Sequence, residues 1–359
     1  MKKLWTLFVF PTIIVVLLFV FRENFTDFIT RTALFLFRPS SALQYIPQQN
    51  ETENAFDFEL FPFSDNKKSH ANPFEDFDIN SLRTTPAPAV TPSFDTDCPI
   101  VELTYAPVLN DVTYRRKNCY VKNVTDYTKA EVETELLAPV DFKVEKNSEL
   151  PQILIMHTHA TESYLPPAGT AYDSSYAFRS TDTARNMVAV GKVMADTLNS
   201  LGWNTLQDAT LHDYPSYNGS YDKSRDTVEK YLEKYPSIRI VLDIHRDAVE
   251  RDGAIIAPTV TLDGAEYAQI MIISGRDNGY MNMPDYRQNL KFATMVQNQL
   301  GKDWPGLARP VLFDYRNYNQ QLTWGSILVE IGTHGSTLAQ AKRSGRAFAQ
   351  SLAAALDAM

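Results

Sequence analysis

Three short stretches of this 359-residue chain carry side chains able to hold a cation or move a proton. They are His157-Thr158-His159-Ala160-Thr161-Glu162, then His245-Arg246-Asp247, then Glu330-Ile331-Gly332. The chain has six histidines, and three of them (His157, His159 and His245) fall in these stretches. The His159-x-x-Glu162 spacing can set an imidazole and a carboxylate on one concave turn, and His245 brings a second imidazole from far along the chain. Two histidines and a carboxylate, with a fourth position left to water, make the three-ligand set of a catalytic zinc. Such an ion lowers the pKa of bound water toward about 7 and polarises a carbonyl. A carboxylate outside the ligand set would then take the water's proton, and Glu330 is placed for it. Asp182, just ahead of a helix start at Asn186, competes with Glu162 as the carboxylate ligand.

The same residues have plain structural roles open to them. His157 and His159 can cap a turn by bonding backbone carbonyls. His157 suits a supporting or substrate role better than ligation, because neighbours at i and i+2 need a particular turn to share one ion. Asp243 shares a strand face with His245 and can orient it or pair with Arg246. Glu330 at a buried strand end needs a partner, so a salt bridge is its structural alternative. His334 belongs to a loop near Glu330 with a surface or substrate role, and His70 and His212 are expected to have no metal role. Tyr214, Tyr217, Tyr221 and Tyr235 either line a glycan groove or cover a helix-sheet seam. Asn24, Asn50, Asn123 and Asn218 head glycosylation sequons, without meaning where the organism does not glycosylate.

The elements that must position these groups follow from apolar spacing. Ile153–Met156 is a short apolar run suited to a buried strand, and Ile238–Ile244 and Ser326–Glu330 are two more; each runs into one of the three stretches. Met187, Val190, Val193, Met194, Leu198 and Leu201 recur at helical spacing and stop at Gly202. Further helices are expected over Ser224–Lys234, near Tyr286–Leu300 and from about Thr337. Residues 254–262 and 267–274 form a pair of strands joined through Asp263-Gly264, and another strand covers Val311–Phe313. Helices alternating with buried strands imply an α/β fold: a layered helix-sheet-helix domain with a largely parallel central sheet, whose site forms at the strands' carboxyl ends.

Composition narrows the function classes. Hydrophobic residues make up 44% and the net charge is -9. Between Tyr45 and Asp97 there are ten Asp/Glu against three Lys/Arg, and the rest is near neutral, which argues against nucleic-acid binding. Cys98 and Cys119 are the only cysteines, which excludes a disulfide scaffold and leaves one bridge open. After Lys2 and Lys3, the uncharged run Leu4–Phe21 covers roughly 27 Å, enough to cross a bilayer core of about 30 Å. Large residues stand where a cleavage site would need small ones, so the run reads as a retained anchor with its N-terminus cytoplasmic. Four regions result: a transmembrane signal anchor at 1–22, an acidic low-complexity tether at 23–97, a partly ordered extension at 98–149 with a helix at Thr128–Leu137, and a catalytic domain at 150–359.

The segments ILIMHTHATESY, NMVAVGKVMADTL, LHDYPSYNGSYDKSRDTVEKYLEKYPSIRIVLDIHRDA and YNQQLTWGSILVEIGTHGSTLAQAKRS closely resemble, in order over Gln152–Leu352, the stage II sporulation protein P family. That family is similar in fold to zinc-dependent N-acetylmuramoyl-L-alanine amidases. The resemblance implies Zn2+ as cofactor and peptidoglycan as substrate, cut between the muramic lactyl group and L-alanine, with an endopeptidase activity also attributed to the family. It further implies a cell-membrane enzyme facing the septal intermembrane space, thinning wall during engulfment beside the sporulation protein D transglycosylase and the sporulation protein M scaffold. By position, the two metal histidines fall on His159 and His245 and the catalytic glutamate on Glu330, while Glu162 and Asp182 stay in competition. His334 departs from the pattern, standing where an Asn is expected.

The combined reading assigns zinc to His159, Glu162 and His245, and proton transfer to Glu330. Arg246 assists the oxyanion, and His157, Tyr217 and Asn319 are candidate substrate contacts. Two rivals remain: a zinc carboxypeptidase, with Arg246 or Arg316 reading a terminal carboxylate, and a non-catalytic wall-binding adaptor on an amidase fold.

Overall fold

The computed structural model describes residues 99–165 and 177–359. The anchor expected at 1–22, the tether at 23–97 and Cys98 lie outside the described residues. No described helix is long and apolar enough to cross a membrane.

Strands β1 (Ile100–Leu103), β2 (Thr113–Arg116) and β3 (Cys119–Asn123) precede helix α1 (Lys129–Glu135). Strand β4 (Ile153–Met156), helix α2 (Met187–Ser200), strand β5 (Thr205–Gln207), helix α3 (Ser220–Lys234) and strand β6 (Ile240–Asp247) follow. Strands β7 (Glu250–Arg251), β8 (Ala254–Leu262), β9 (Ala265–Ala268) and β10 (Ile270–Gly275) lead to helix α4 (Tyr286–Asp303). Strand β11 (Val311–Asp314), a 3-10 turn (Gln320–Leu322), strand β12 (Gly325–Thr333) and helix α5 (Leu338–Asp357) complete the order.

Eight strands make one sheet in the order β2-β3-β11-β10-β12-β6-β4-β5. Five of its seven neighbouring pairs are parallel, and β2/β3 and β10/β12 are antiparallel. The α/β fold with a largely parallel sheet is therefore as the apolar spacing implies. Both faces are covered, which is why β4 reads as an unbroken apolar run. Ile153 and Ile155 join a core with Met187, Val190, Leu290, Phe292, Phe348 and Leu352, from α2, α4 and α5. Leu154 and Met156 point the other way, against Val228 of α3, Ile238 and Val241. Each such side chain removed from water contributes about 1.5–3 kcal/mol.

A smaller sheet holds β1, β7, β8 and β9. Here the pair of strands expected at 254–262 and 267–274 needs correcting. Asp263 and Gly264 do make the tight turn, with φ of 49° and 77°. The return strand β9, however, ends at Ala268, and after Gln269 the chain enters the larger sheet as β10. Gln269 makes the crossing possible by bonding Tyr105 and Gly306 through its buried side chain. Residues 99–149 share both sheets, since β1 pairs with β8 and β3 with β11. Helix α1 starts at Thr128, whose hydroxyl and the Glu131 carboxylate cap each other's backbone. Cys119 is a free thiol, wholly buried.

Strand β12 runs past Glu330 to Thr333, with a register break against β6 between them. Gly332 occupies this break at φ +66°, and a Cβ there would stand 2.5 Å from Ser336 Oγ and 2.7 Å from Ala268 Cβ. Ser336 is held in place, accepting from Thr333 N. Gly332→Ala should therefore destabilise the domain by about 2–3 kcal/mol through backbone strain and overpacking. Urea unfolding would check this as a lowered midpoint at unchanged m.

Candidate active site

The carboxyl ends of β4, β6 and β12 lie side by side, and the parallel register sets Glu330 directly beside His245. Asp243 and His245 share a face of β6. Asp243, buried, accepts from Thr158 N at 2.8 Å and Thr158 Oγ1 at 2.7 Å, which ties the loop after β4 to β6. Its Oδ1 also lies 2.8 Å from His245 Nε2, though off the line of a hydrogen bond, so that nitrogen is left without one. Asp243 thus serves His245 and not Arg246.

His159 and His245 meet edge to face with ring centroids 5.2 Å apart. His159 Nδ1 is 3.4 Å from Ser220 Oγ and 4.0 Å from Asp213. Glu162 Oε2 lies 3.7 Å from His245 Nδ1 and accepts from Arg246 N at 3.2 Å. Glu330 Oε2 is enclosed and has no hydrogen-bond partner. Among the described residues, no three His, Cys, Asp or Glu side chains form a group that could hold a metal ion as they stand. His159, Glu162 and His245 nevertheless lie together as two imidazoles and a carboxylate, with His245 Nδ1 turned toward Glu162, and the orphaned Glu330 Oε2 leaves polar capacity unused beside His245. The chemistry of this donor set fits zinc.

Burial sets the charges. It lowers the pKa of His159 to about 4. On His245 burial also acts downward, but Asp243, Glu162 and Glu330 outweigh it and lift the pKa to about 9. Glu162 stays below its ordinary value despite burial, because Arg246, His245, His159 and Arg179 surround it. Burial and then Asp247 push Glu330 up to about 8, against the pull of His245.

Other expected residues have different surroundings. His157 is wholly buried, its Nδ1 3.0 Å from the Ile244 carbonyl and its Nε2 3.2 Å from Gln207. Arg246 donates from Nε to the Ser163 carbonyl and from Nη2 to the Phe178 carbonyl, both at 2.7 Å, and so clamps a loop. Asn319 is buried and donates to the Tyr221 carbonyl and Ser224 Oγ. Tyr217 stacks on His159 with centroids 4.5 Å apart while Arg179 covers its ring. Asp182 is exposed and caps Ala184 N, away from the histidines that Glu162 faces. His334 is 4% exposed, which corrects the expected surface position; Phe178 packs edge-on against it. His212 is taken up by the His157 carbonyl and Thr227. The tyrosine cluster divides: Tyr217 and Tyr221 contact His159, while Tyr235 packs under the sheet.

One residue escaped the sequence reading. Asp213 is buried, accepts from Thr161 N and Oγ1, and receives Arg179 Nη1 at 2.7 Å, fixing the turn between His159 and Glu162. Its only signal is an acidic residue in an otherwise aromatic loop.

Glu330 gives a pH test. Its folded carboxyl keeps a proton up to about 8, whereas the unfolded one loses it near 4.5. Glu330 itself binds more protons in the folded state between these values, so its own contribution to stability falls as pH rises through that window, whereas His157, His159 and His334, lowered to about 4 by burial, act in the opposite sense below about 6.5. Urea unfolding of metal-free protein at pH 5, 6, 7 and 8 should show the stability of Glu330→Gln, relative to the wild type, growing as pH rises.

Comparison with known proteins identifies the family. A family profile described as Stage II sporulation protein P (SpoIIP) matches residues 107–353. Stage II sporulation protein P of Bacillus subtilis (strain 168) is 29% identical over 208 residues, covering 55% of this chain and 49% of that protein. The chain thus spans about half the length of the curated relative it matches. Among solved structures, the N-acetylmuramoyl-L-alanine amidase AmiC2 of Nostoc punctiforme is similar at 15% identity and a TM-score of 0.35, over 58% of this chain and 96% of that one. The CwlD amidase from Clostridioides difficile, solved with the GerS lipoprotein, is similar at 11% identity and a TM-score of 0.35, over 58% and 97%. With the profile covering more than two thirds of its residues, the chain belongs to the stage II sporulation protein P family.

Proposed function

We propose that this protein is a sporulation peptidoglycan hydrolase, a zinc-dependent N-acetylmuramoyl-L-alanine amidase that releases stem peptides from the glycan. The observation that carries the reading is Glu330, set by strand register beside His245 with its Oε2 enclosed and unpartnered. Family membership supports the sporulation and wall context. The run Leu4–Phe21 supports a membrane-held enzyme acting outside the cytoplasm.

Bound by His159, Glu162 and His245, Zn2+ would supply a Lewis acid and a water acidic enough to lose a proton near neutrality. Glu330 takes that proton as the water oxygen attacks the amide carbonyl, then gives it to the leaving nitrogen. In the metal-free protein burial lifts this carboxyl to about 8, and the charge of a bound cation would oppose that rise and favour the ionised base. Asp243 orients His245, Asp213 and Ser220 fix His159, and Arg246 holds Glu162 through its backbone N–H. Tyr217, partly exposed over His159 with Arg179 across its ring, stands at the mouth where substrate would enter.

Purified peptidoglycan treated with the protein, with products identified by mass spectrometry, tests the reading. Intact stem peptides and lactyl-terminated glycan are expected, lost with chelator, restored by zinc, and reduced about 1,000-fold or more in Glu330→Gln. Release of single terminal residues would instead favour the carboxypeptidase, and bound zinc without any product would favour the adaptor.

A further inference from the structure

The amide carbonyl gains negative charge as water attacks, and a hydrogen-bond donor aimed at that oxygen is commonly the largest protein contribution to such a reaction. Arg246 is held by its Nε and Nη2, which donate to backbone carbonyls at 2.7 Å, and its Nη1 is turned to the Asp247 carbonyl at 3.5 Å. A donor nearer the two histidines is a phenol. Tyr221 stands in the first turn of α3, with its ring centroid 5.5 Å from that of His159 and 6.5 Å from that of His245. Tyr318 stacks on it at 5.2 Å. Neither phenol oxygen bonds to any described residue, and neither is among the fully enclosed unpaired polar atoms, so each is open to solvent. We propose that Tyr221 is a catalytic residue whose hydroxyl donates to the carbonyl oxygen of the amide being cut, and that Tyr318 and Asn319 position it; this rests on the hydrolase reading above.

The positioning is built with care that a merely filling tyrosine would not need. Asn319 Nδ2 donates to the Tyr221 carbonyl at 2.8 Å and to Ser224 Oγ at 3.1 Å. Ser224 Oγ is 2.8 Å from Thr158 Oγ1, which is bound to Asp243, so Tyr221 shares one network with the mount of His245. Tyr318 and Asn319 are successive non-glycine residues in the left-handed region, at φ 47° and 57°. That conformation is costly and persists only where neighbours enforce it. Asn317 does so, accepting from Asn319 N at 2.8 Å and donating to the Met281 carbonyl at 2.6 Å.

In the reaction the water oxygen bonds to the carbonyl carbon and the carbon–nitrogen bond breaks. Glu330 carries one proton from water to nitrogen, and Tyr221 keeps its own throughout. The test uses the full chain loaded with zinc and a muramoyl-peptide amide. Tyr221→Phe keeps the ring stack and should lower kcat about 100-fold, with KM changed less than about threefold. Tyr318→Ala should lower kcat as well, and Tyr318→Phe should restore it to within about threefold of wild type. Calorimetry with a phosphinic analogue of the amide, a tetrahedral anion, should show binding weakened about 100-fold in Tyr221→Phe. Wild-type kcat and wild-type phosphinate affinity in Tyr221→Phe would overturn the assignment. A wild-type protein that cuts no amide would overturn the hydrolase reading instead, while the phosphinate comparison would still report on Tyr221. Failure of wild type to bind the phosphinate would remove both.

Discussion

The Asp243 carboxylate, buried at the centre of the sheet, is the interaction on which the site depends. It fixes the backbone and side chain of Thr158 on one side and approaches His245 on the other. One carboxylate thereby couples the turn that carries His159 and Glu162 to the strand that carries His245. The same atoms reach α3 through Thr158 and Ser224, and the 318–319 turn through Asn319. A buried anion of this kind is costly unless it is compensated, and here two donors from one threonine and the nearby charge of the His245 imidazole compensate it. The surrounding hydrophobic packing can vary in detail, but this junction has little room for substitution.

Charge around the junction is balanced in short circuits. Arg309 neutralises Asp247, Arg179 neutralises Asp213, and Arg246 and Arg179 flank Glu162. Among the described carboxyl oxygens, Glu330 Oε2 is the enclosed one without a hydrogen bond, and the affinity of that carboxyl for protons rises. Burying one carboxyl unpaired while pairing its neighbours separates acids of the same type into different roles.

Much of this was legible beforehand. The runs at Ile153–Met156, Ile238–Ile244 and Ser326–Glu330 announced buried strands because parallel strands covered on both faces leave no polar alternation. Their ends therefore announced the three stretches that converge. Two features were hidden. The shift from β9 to β10 at Gln269 leaves no mark in apolar spacing, since both halves are β-rich and only long-range bonds from one amide separate them. The surroundings of Arg246, Asn319 and His157 were also hidden: each looks like a site residue by type, and each is occupied by backbone carbonyls that only the folded chain supplies. Asp213 shows the converse, an acid with no motif whose importance comes from the turn it closes.

Strand β12 lies in the interior of the sheet, between β10 and β6, although it is the last described strand in the chain. The halves of the sheet on either side of it are made earlier and cannot be joined until it arrives. A polypeptide emerging vectorially would thus carry His159, Glu162 and His245 for some time before Glu330 is delivered between its neighbours. Long-range pairings of this kind close slowly. On the hydrolase reading proposed above, the group that moves the proton is therefore the last of the site's residues to be put in place.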